Sequence, residues 1–311
     1  MHEQITRTMY YFGVHLLFAS LVCLAAWVLT SVPRGRATTK YWIWVATALN
    51  FISPLGALVD EFGQPHLSWA RPLPLIGSPA ATLTEGSLAV MLFAIWFGGA
   101  ALMFTRLCLR LRADYRNAGG AHSRVALNPK AGLMIQGVPV RFSEKQETPA
   151  VDGLLRPSIS LPSGIDRLLN REELDAVLVH ELRHAKRRDN LIRLIFEMGR
   201  CVLWFHPLIW VAGTRLALYR ELSCDESVIQ SARGEDLISA LAKLAGPEKG
   251  GVLLQATASS LVRHRISHLA ADQEPASATA GGLLAATFCV VLLAGIFETV
   301  AHTACCFMGG H

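Results

Sequence analysis

Residues 180–184 read His-Glu-Leu-Arg-His, an H-E-x-x-H pattern. On a helix, positions i and i+4 share a face, so His180 and His184 can turn their imidazoles toward one metal ion. Glu181, one position past the first histidine, falls beside the water that such an ion would activate. A carboxylate there serves as general base rather than ligand. Multiplying the chain's residue frequencies over all start positions gives an accidental match in roughly 2% of cases. The plainer alternative is a solvated His/Glu helix face.

A catalytic zinc takes three protein ligands and keeps one position open. Spacing alone leaves the third ligand undecided among Glu197, His206, Glu221 and Asp225. Glu197 is placed to pair with a neighbouring arginine. Glu221 and Asp225 lie four apart on one predicted helix and share a face. One can ligate while the other accepts a hydrogen bond from a ligand histidine, fixing its tautomer. A surface carboxylate pair is the alternative. Tyr219, Arg220 and His206 are weaker candidates for stabilising an oxyanion.

The elements that must position these residues are punctuated clearly. Asn170 followed by Glu173 is a capping-box pattern, and Leu174, Val177, Leu178 and Leu182 form a stripe on a predicted helix running to about 188. Asp189-Asn190 restarts a helix through 204. Pro207 suits the first turn of the next helix, which runs to about 231. Helices over 235–245 and 261–269 follow, with a loop at 246–260 between them. Upstream, 122–142 reads as short strands, SRVAL, GLMI and VPVRF. Residues 157–162 form another strand, which its prolines assign to a sheet edge. Ser158, Ile159 and Ser160 are therefore candidates for pairing with an extended substrate. The apolar run 201–213 is too short to span a bilayer, so it packs in the core or touches the membrane surface. Lys186-Arg187-Arg188 reads as a solvated helix end that suits the helix dipole.

The remainder of the chain is apolar. Hydrophobic residues make up 52% of it and charged residues 17%, and 24 of the 29 Lys and Arg lie between Arg106 and Arg265. This excludes a disordered chain and a disulfide-rich module, and it argues against direct nucleic-acid binding. The seven cysteines contain no C-x-x-C. Apolar segments at 9–32, 41–59, 88–105 and 281–297 read as four membrane spans. The basic flanks, Arg34, Arg36 and Lys40 after the first and Arg106, Arg110, Arg112 and Arg116 after the third, place both on the cytoplasmic side. The expected fold class is thus a membrane α-helical protein with an α+β insert. It comprises a three-span region over 1–112, a cytoplasmic domain over 113–275, and a fourth transmembrane helix with a short extracytoplasmic tail over 276–311. In that tail, Glu298 is read as reaching the interface. His302, Cys305, Cys306 and His311 are read as a weak soft-metal or redox cluster.

With these residues in place, the chain resembles a known family. His180-Glu-Leu-Arg-His-Ala-Lys-Arg-Arg-Asp189, Trp204-Phe-His-Pro-Leu-Ile-Trp210, Arg220-Glu-Leu-Ser-Cys-Asp-Glu226, Arg156-Pro-Ser-Ile-Ser-Leu-Pro162 and Arg265-Ile-Ser-His-Leu269 are together similar to the BlaR/MecR-type transmembrane zinc peptidases, the β-lactam sensors. The Glu221/Asp225 pair is also similar to the prenyl-protein peptidase gluzincins. The resemblance implies a gluzincin-like zinc peptidase domain, built of helices plus a small β-sheet, between spans three and four. It implies Zn2+ on His180, His184 and Glu221, with Asp225 supporting a ligand and Glu181 as the catalytic base. It further implies a multi-pass protein of the bacterial plasma membrane, with its peptidase in the cytoplasm and both termini outside. Such a protein cleaves a cytoplasmic transcriptional repressor, or itself, in response to a signal. Only thirteen residues follow Glu298, and they hold no S-x-x-K. The expectation is therefore a member lacking the C-terminal penicillin-binding domain, triggered by a partner (a separate sensor protein or a second copy), a small ligand or the lipid bilayer itself. A housekeeping membrane protease and a catalytically silent scaffold are the competing classes.

Overall fold

Helix boundaries follow the sequence punctuation closely around the H-E-x-x-H segment. The computed structural model describes residues 2–31, 35–52, 83–122, 134–144, 146–245, 262–267 and 269. Among the described residues, three long helices come first, α1 (His2–Ser31), α2 (Ala37–Ile52) and α3 (Leu83–His122). Four short strands follow, β1 (Met134–Ile135), β2 (Val138–Ser143), β3 (Ala150–Asp152) and β4 (Ser158–Pro162). The helices α4 (Ile165–Leu168), α5 (Arg171–Arg187), α6 (Asp189–Val202), α7 (Pro207–Gln230) and α8 (Gly234–Ala245) come next. A helical turn occupies 262–267.

The start of α5 is a complete capping box. The Glu173 N–H donates to the Asn170 side chain at 2.8 Å, and the Asn170 N–H donates to the Glu173 carboxylate at 2.9 Å. At its end, Arg188 takes a left-handed conformation (φ 55°) and serves both as C-cap of α5 and N-cap of α6. The chain therefore turns sharply between the two helices. Pro207 opens α7, where its missing N–H costs nothing.

The strands form one mixed sheet in the order β1-β2-β4-β3. β1 and β2 make a hairpin across Gln136 and Gly137, both at positive φ as a two-residue turn of this kind requires. β4 runs parallel to β2 and antiparallel to β3. This corrects the edge-strand expectation for 157–162. Ser158, Ile159 and Ser160 are buried with β3 on one side, and β2 takes the other from Ile159 onward. The backbone needed to bind a substrate strand is thus already spent. The prolines are no obstacle to this interior position. Pro157 precedes the strand and Pro162 ends it, so neither interrupts the middle of the ladder.

Two apolar cores flank α5 and α7. One lies under the sheet and joins Val140, Ile159 and Leu161 to Val177, Leu178 and Leu182 of α5, and to Val228 and α8. The other joins Ala19, Val22, Cys23 and Ala26 of α1, Tyr41, Trp44 and Phe51 of α2, and Ile209, Ala212, Leu216 and Leu222 of α7. Half of the expected second span is therefore protein core: Tyr41 and Trp44 are fully buried. An apolar helix face has the same composition whether it meets protein or lipid, so hydropathy alone does not separate the two. The run 201–213 also belongs here through Leu203, Ile209 and Ala212, while Phe205 and Trp210 stay exposed.

Among the described residues, one helical stretch, Val90–Asp114, is long and apolar enough to cross a membrane; His15–Ser31 is apolar but shorter. α3 is fastened to the α6–α7 corner by two indoles. Trp96 Nε1 donates to the Val202 carbonyl at 3.0 Å, and Trp204 Nε1 donates to the Trp96 carbonyl at 3.1 Å. The expected strand SRVAL, the loop 246–260, the fourth span 281–297, Glu298 and the tail cluster His302, Cys305, Cys306 and His311 lie outside the described residues.

Candidate metal centre

α5 and α7 approach each other antiparallel. His180 faces Asp225, His184 faces Glu221, and Arg187 reaches the Arg220 carbonyl. Three atoms converge in the gap. His180 Nε2 and His184 Nε2 are 3.2 Å apart, and Glu221 Oε2 lies 3.6 Å from the first and 3.8 Å from the second. A tetrahedral ion with ligand bonds of about 2.0–2.1 Å sets its ligand atoms about 3.3 Å apart. The triangle is therefore the right size for such an ion, and the donors, two imidazole nitrogens and one carboxylate oxygen, suit it chemically. Spacing left four candidates for the third position; among the described residues, Glu221 alone joins the two histidines in this cluster.

Each ligand group is oriented from behind. His180 Nδ1 lies 2.9 Å from Asp225 Oδ1, and His184 Nδ1 lies 2.6 Å from Asp189 Oδ2. Both carboxylates accept the Nδ1 proton, which leaves the Nε2 lone pairs aimed at the centre. Arg265 fixes Asp225 with two hydrogen bonds, at 2.8 and 2.7 Å. Arg187 forks onto Asp189, with both bonds at 2.6 Å. The Tyr41 hydroxyl adds a third donor to Asp189 at 3.0 Å, and the Arg187 guanidinium stacks 3.9 Å from the Tyr41 ring. Arg220 donates twice to Glu221 Oε1, so Oε2 faces the two histidines, with Arg265 Nη1 3.6 Å from it.

The electrostatics match a site built for a cation. Burial and the Arg265 charge favour neutral His180, but hydrogen bonds to Asp225 and Glu221 outweigh them and lift it to about 9. Burial likewise opposes a charged His184, yet its bond to Asp189 raises it well above the usual histidine value. Glu221 is held well below the normal carboxylate range: the histidine hydrogen bonds overcome its burial. Burial also opposes ionisation of Asp189, but His184 and Arg187 bring it to about 2. The anionic groups around the two imidazoles thus favour positive charge between them, and a cation binding at Nε2 competes there with a proton.

Glu181 is buried on α5 beside this cluster. Among the described residues, no hydrogen bond or ion pair holds its carboxylate. The other sequence candidates are occupied elsewhere. His206 is the N-cap of α7, 3.2 Å from Ser20 Oγ and packed against Phe51. It lies fifteen residues before Glu221, or about 22 Å along the helix. Glu197 pairs with Arg200. The Tyr219 hydroxyl donates to the Thr30 carbonyl, and Arg220 is committed to Glu221. Arg187 departs from the expected solvated helix end: its side chain is 5% exposed and is bound into the site through Asp189 and Ser223. Lys186 donates to Gln136 of the β-hairpin.

Sequence reasoning did not single out Asp189, Arg265 or Tyr41 as supports. Asp189 carries one signal, since an acid just beyond His184 can fold back when the helix ends there; in the sequence it marks a helix start and closes a motif of the family resemblance, with no supporting role assigned. Arg265 and Tyr41 reach the site from distant segments, which no local pattern reveals.

A family profile described as BlaR1 peptidase M56 matches residues 11–269. The chain is 25% identical over 247 residues to Regulatory protein BlaR1 of Bacillus licheniformis, covering 74% of this chain and 39% of that protein. It is 26% identical over 151 residues to Methicillin resistance mecR1 protein of Staphylococcus aureus, covering 46% of this chain and 26% of that protein. A 60-residue stretch is 37% identical to Protease HtpX homolog of Thermococcus sibiricus, covering 18% of this chain and 20% of that protein. The chain therefore spans well under half the length of these relatives.

Proposed function

We propose, for a chain that belongs to the BlaR1 peptidase M56 family, the activity of an integral-membrane zinc metalloendopeptidase acting on a cytoplasmic protein. The observation that carries this reading is the triangle of His180 Nε2, His184 Nε2 and Glu221 Oε2, with Glu181 adjoining it on the same helix. Zinc, when bound there, acts as a Lewis acid on a peptide carbonyl and makes water more acidic. Glu181 takes the proton of the attacking water and returns it to the leaving amine, so the acid–base cycle closes on one carboxylate. Asp225 and Asp189 hold the histidines with Nδ1 protonated throughout, and Arg220 keeps Glu221 Oε2 turned inward.

The substrate proposed is a transcriptional repressor or the chain itself. The location proposed is the bacterial plasma membrane, with four spans and the metal centre on the cytoplasmic side. The basic flanks and the apolar helix over Val90–Asp114 support this topology. The test is bound zinc and peptide cleavage in detergent-purified full chain. One zinc per chain is expected, lost in His184→Ala and Glu221→Ala. In Glu181→Gln, zinc is retained while cleavage falls by roughly 100-fold or more. Zinc that survives Glu221→Ala, or cleavage that survives Glu181→Gln, would overturn the assignment.

A further inference from the structure

On a side of α5 that the metal centre does not use lies a cavity of about 290 Å³, lined by Arg36, Thr38, Thr39, Arg183, Ser227 and Gln230. Its lining residues carry two cations and no anion. Arg36 is accounted for through its Nε, which donates to Glu226 Oε1 at 2.7 Å. Glu226 has nothing left for a second arginine, because its Oε2 accepts both the Thr38 N–H (2.9 Å) and the Thr38 hydroxyl (2.6 Å). Arg183 is left over. Its Nε is sealed from solvent and finds no acceptor among the described residues. Arg183 therefore lines the cavity with a charge that no described carboxylate offsets, and an anion in the cavity would balance it.

The chemistry of the wall selects that partner. Two guanidinium groups offer N–H donors, and the hydroxyl of Thr39 and the amide of Gln230 add others; the Ser227 hydroxyl already donates to the Ser223 carbonyl at 3.3 Å. Guanidinium donors combined with a hydroxyl and an amide match a tetrahedral oxyanion better than a halide or a planar apolar group. We infer that this cavity is a binding site for a phosphate group, carried either by a free phosphate or by a lipid headgroup. Arg36 and the first turn of α2 belong to the basic segment that follows α1, so a headgroup of an adjoining leaflet is one natural source. Arg183 stands between Glu181 and His184 in sequence, so an occupied cavity anchors the helix that carries the metal ligands. The site itself does not depend on the peptidase reading, because no metal ligand lines it.

The test uses the full chain in two settings. In detergent, inorganic phosphate is titrated at constant ionic strength against sodium chloride, with thermal stability and calorimetric Kd as readouts. In nanodiscs, the chain is compared in phosphatidylcholine alone and in phosphatidylcholine with phosphatidic acid. Phosphate, phosphatidic acid or both should raise the melting temperature above the chloride and phosphatidylcholine controls. Arg183→Met should weaken the binding by about 10-fold or more. Thr39→Val, which leaves both charges in place, should weaken it by less, and this guards against a fold defect in the arginine variant. A response to both probes assigns a small anion, and a response to phosphatidic acid alone assigns the headgroup. No stabilisation by either probe, or stabilisation that both variants retain in full, would overturn the inference. Zinc content and cleavage stay as separate readouts, so failure here leaves the peptidase assignment untouched.

Discussion

Asp225 and Arg265 meet through two parallel hydrogen bonds, and the Asp225 oxygen that accepts from Arg265 Nη2 at 2.7 Å also lies 2.9 Å from His180 Nδ1. One carboxylate oxygen therefore links an arginine from the far end of the described chain to a histidine of the candidate metal centre. Arg265→Met leaves Asp225 less constrained, and zinc affinity should fall by about 10–100-fold. Arg265→Lys restores the charge without the fork and should recover only part of that loss. Chelator competition measures both. Unchanged affinity in Arg265→Met would make the pair a purely structural contact.

Tyr41 gives a finer test of how the ligands are held. Its hydroxyl is its one link to Asp189, while the ring supports Arg187. Tyr41→Phe removes the first and keeps the second. The expected result is a zinc affinity weaker by about 3–10-fold, the size of one hydrogen bond, with little change in melting temperature. Asp189→Asn should lose more, since it removes the charge that faces His184. Equal affinity in Tyr41→Phe and the parent chain would remove α2 from the ligand support.

The parts of this site that were legible in the sequence are those written in short intervals. His180 and His184 are one helical turn apart, Asn170 and Glu173 sit at capping-box spacing, and Pro207 marks the start of α7. Glu221 is a different case. Its spacing from His184 fixed nothing, and the resemblance to a family singled it out before the geometry did. Helix boundaries from Arg171 to Ala245 came out within a few residues, because caps and breakers are local. The position of β4 was misread because proline at a strand's end says little about what lies on either side. Strand order depends on contacts between distant residues, and β2 pairs with β4 across a gap that encloses β3. The burial of Trp44 was likewise hidden, since an apolar helix face does not declare its neighbour.

Acid should weaken the join between α5 and α8. Glu173 sits in the capping box and also accepts from Ser239 and, at 2.7 Å, from Lys243 of α8. The Lys243 bond first, then the Ser239 and Asn170 bonds, bring its carboxyl down to about 2 from an ordinary value of 4.5. A folded value below the unfolded one means the stabilisation is fully present above about pH 4.5 and fades as the pH falls toward 2. Glu173→Gln should lower the melting temperature at neutral pH and flatten its decline through the acid window. An identical acid slope in both proteins would locate the sensitivity elsewhere.

Gly99 tests the fastening of α3. A Cβ at this position would run into the Trp204 indole. Gly99→Val should therefore destabilise by about 1–3 kcal/mol through overpacking. The penalty should shrink in a Trp204→Ala background, where the obstacle is gone. Chemical denaturation of the four proteins of this cycle measures the coupling. A penalty that persists without Trp204 would mean that α3 and the α6–α7 corner do not meet as described.

The apolar core that joins α1 and α2 to α7 has a practical meaning for anyone dissecting the chain. Cutting at residue 113 looks natural from hydropathy, because it removes the oily segments and keeps both histidines. Such a fragment would lose the covering that Ala19, Val22, Cys23, Trp44 and Phe51 provide over Ile209, Ala212 and Leu216. It would also lose the Thr38 groups that satisfy Glu226 and the Tyr41 hydroxyl behind Asp189. The half that carries the candidate metal centre shares its scaffold with the hydrophobic N-terminus, so a water-soluble version is expected to need redesign rather than excision.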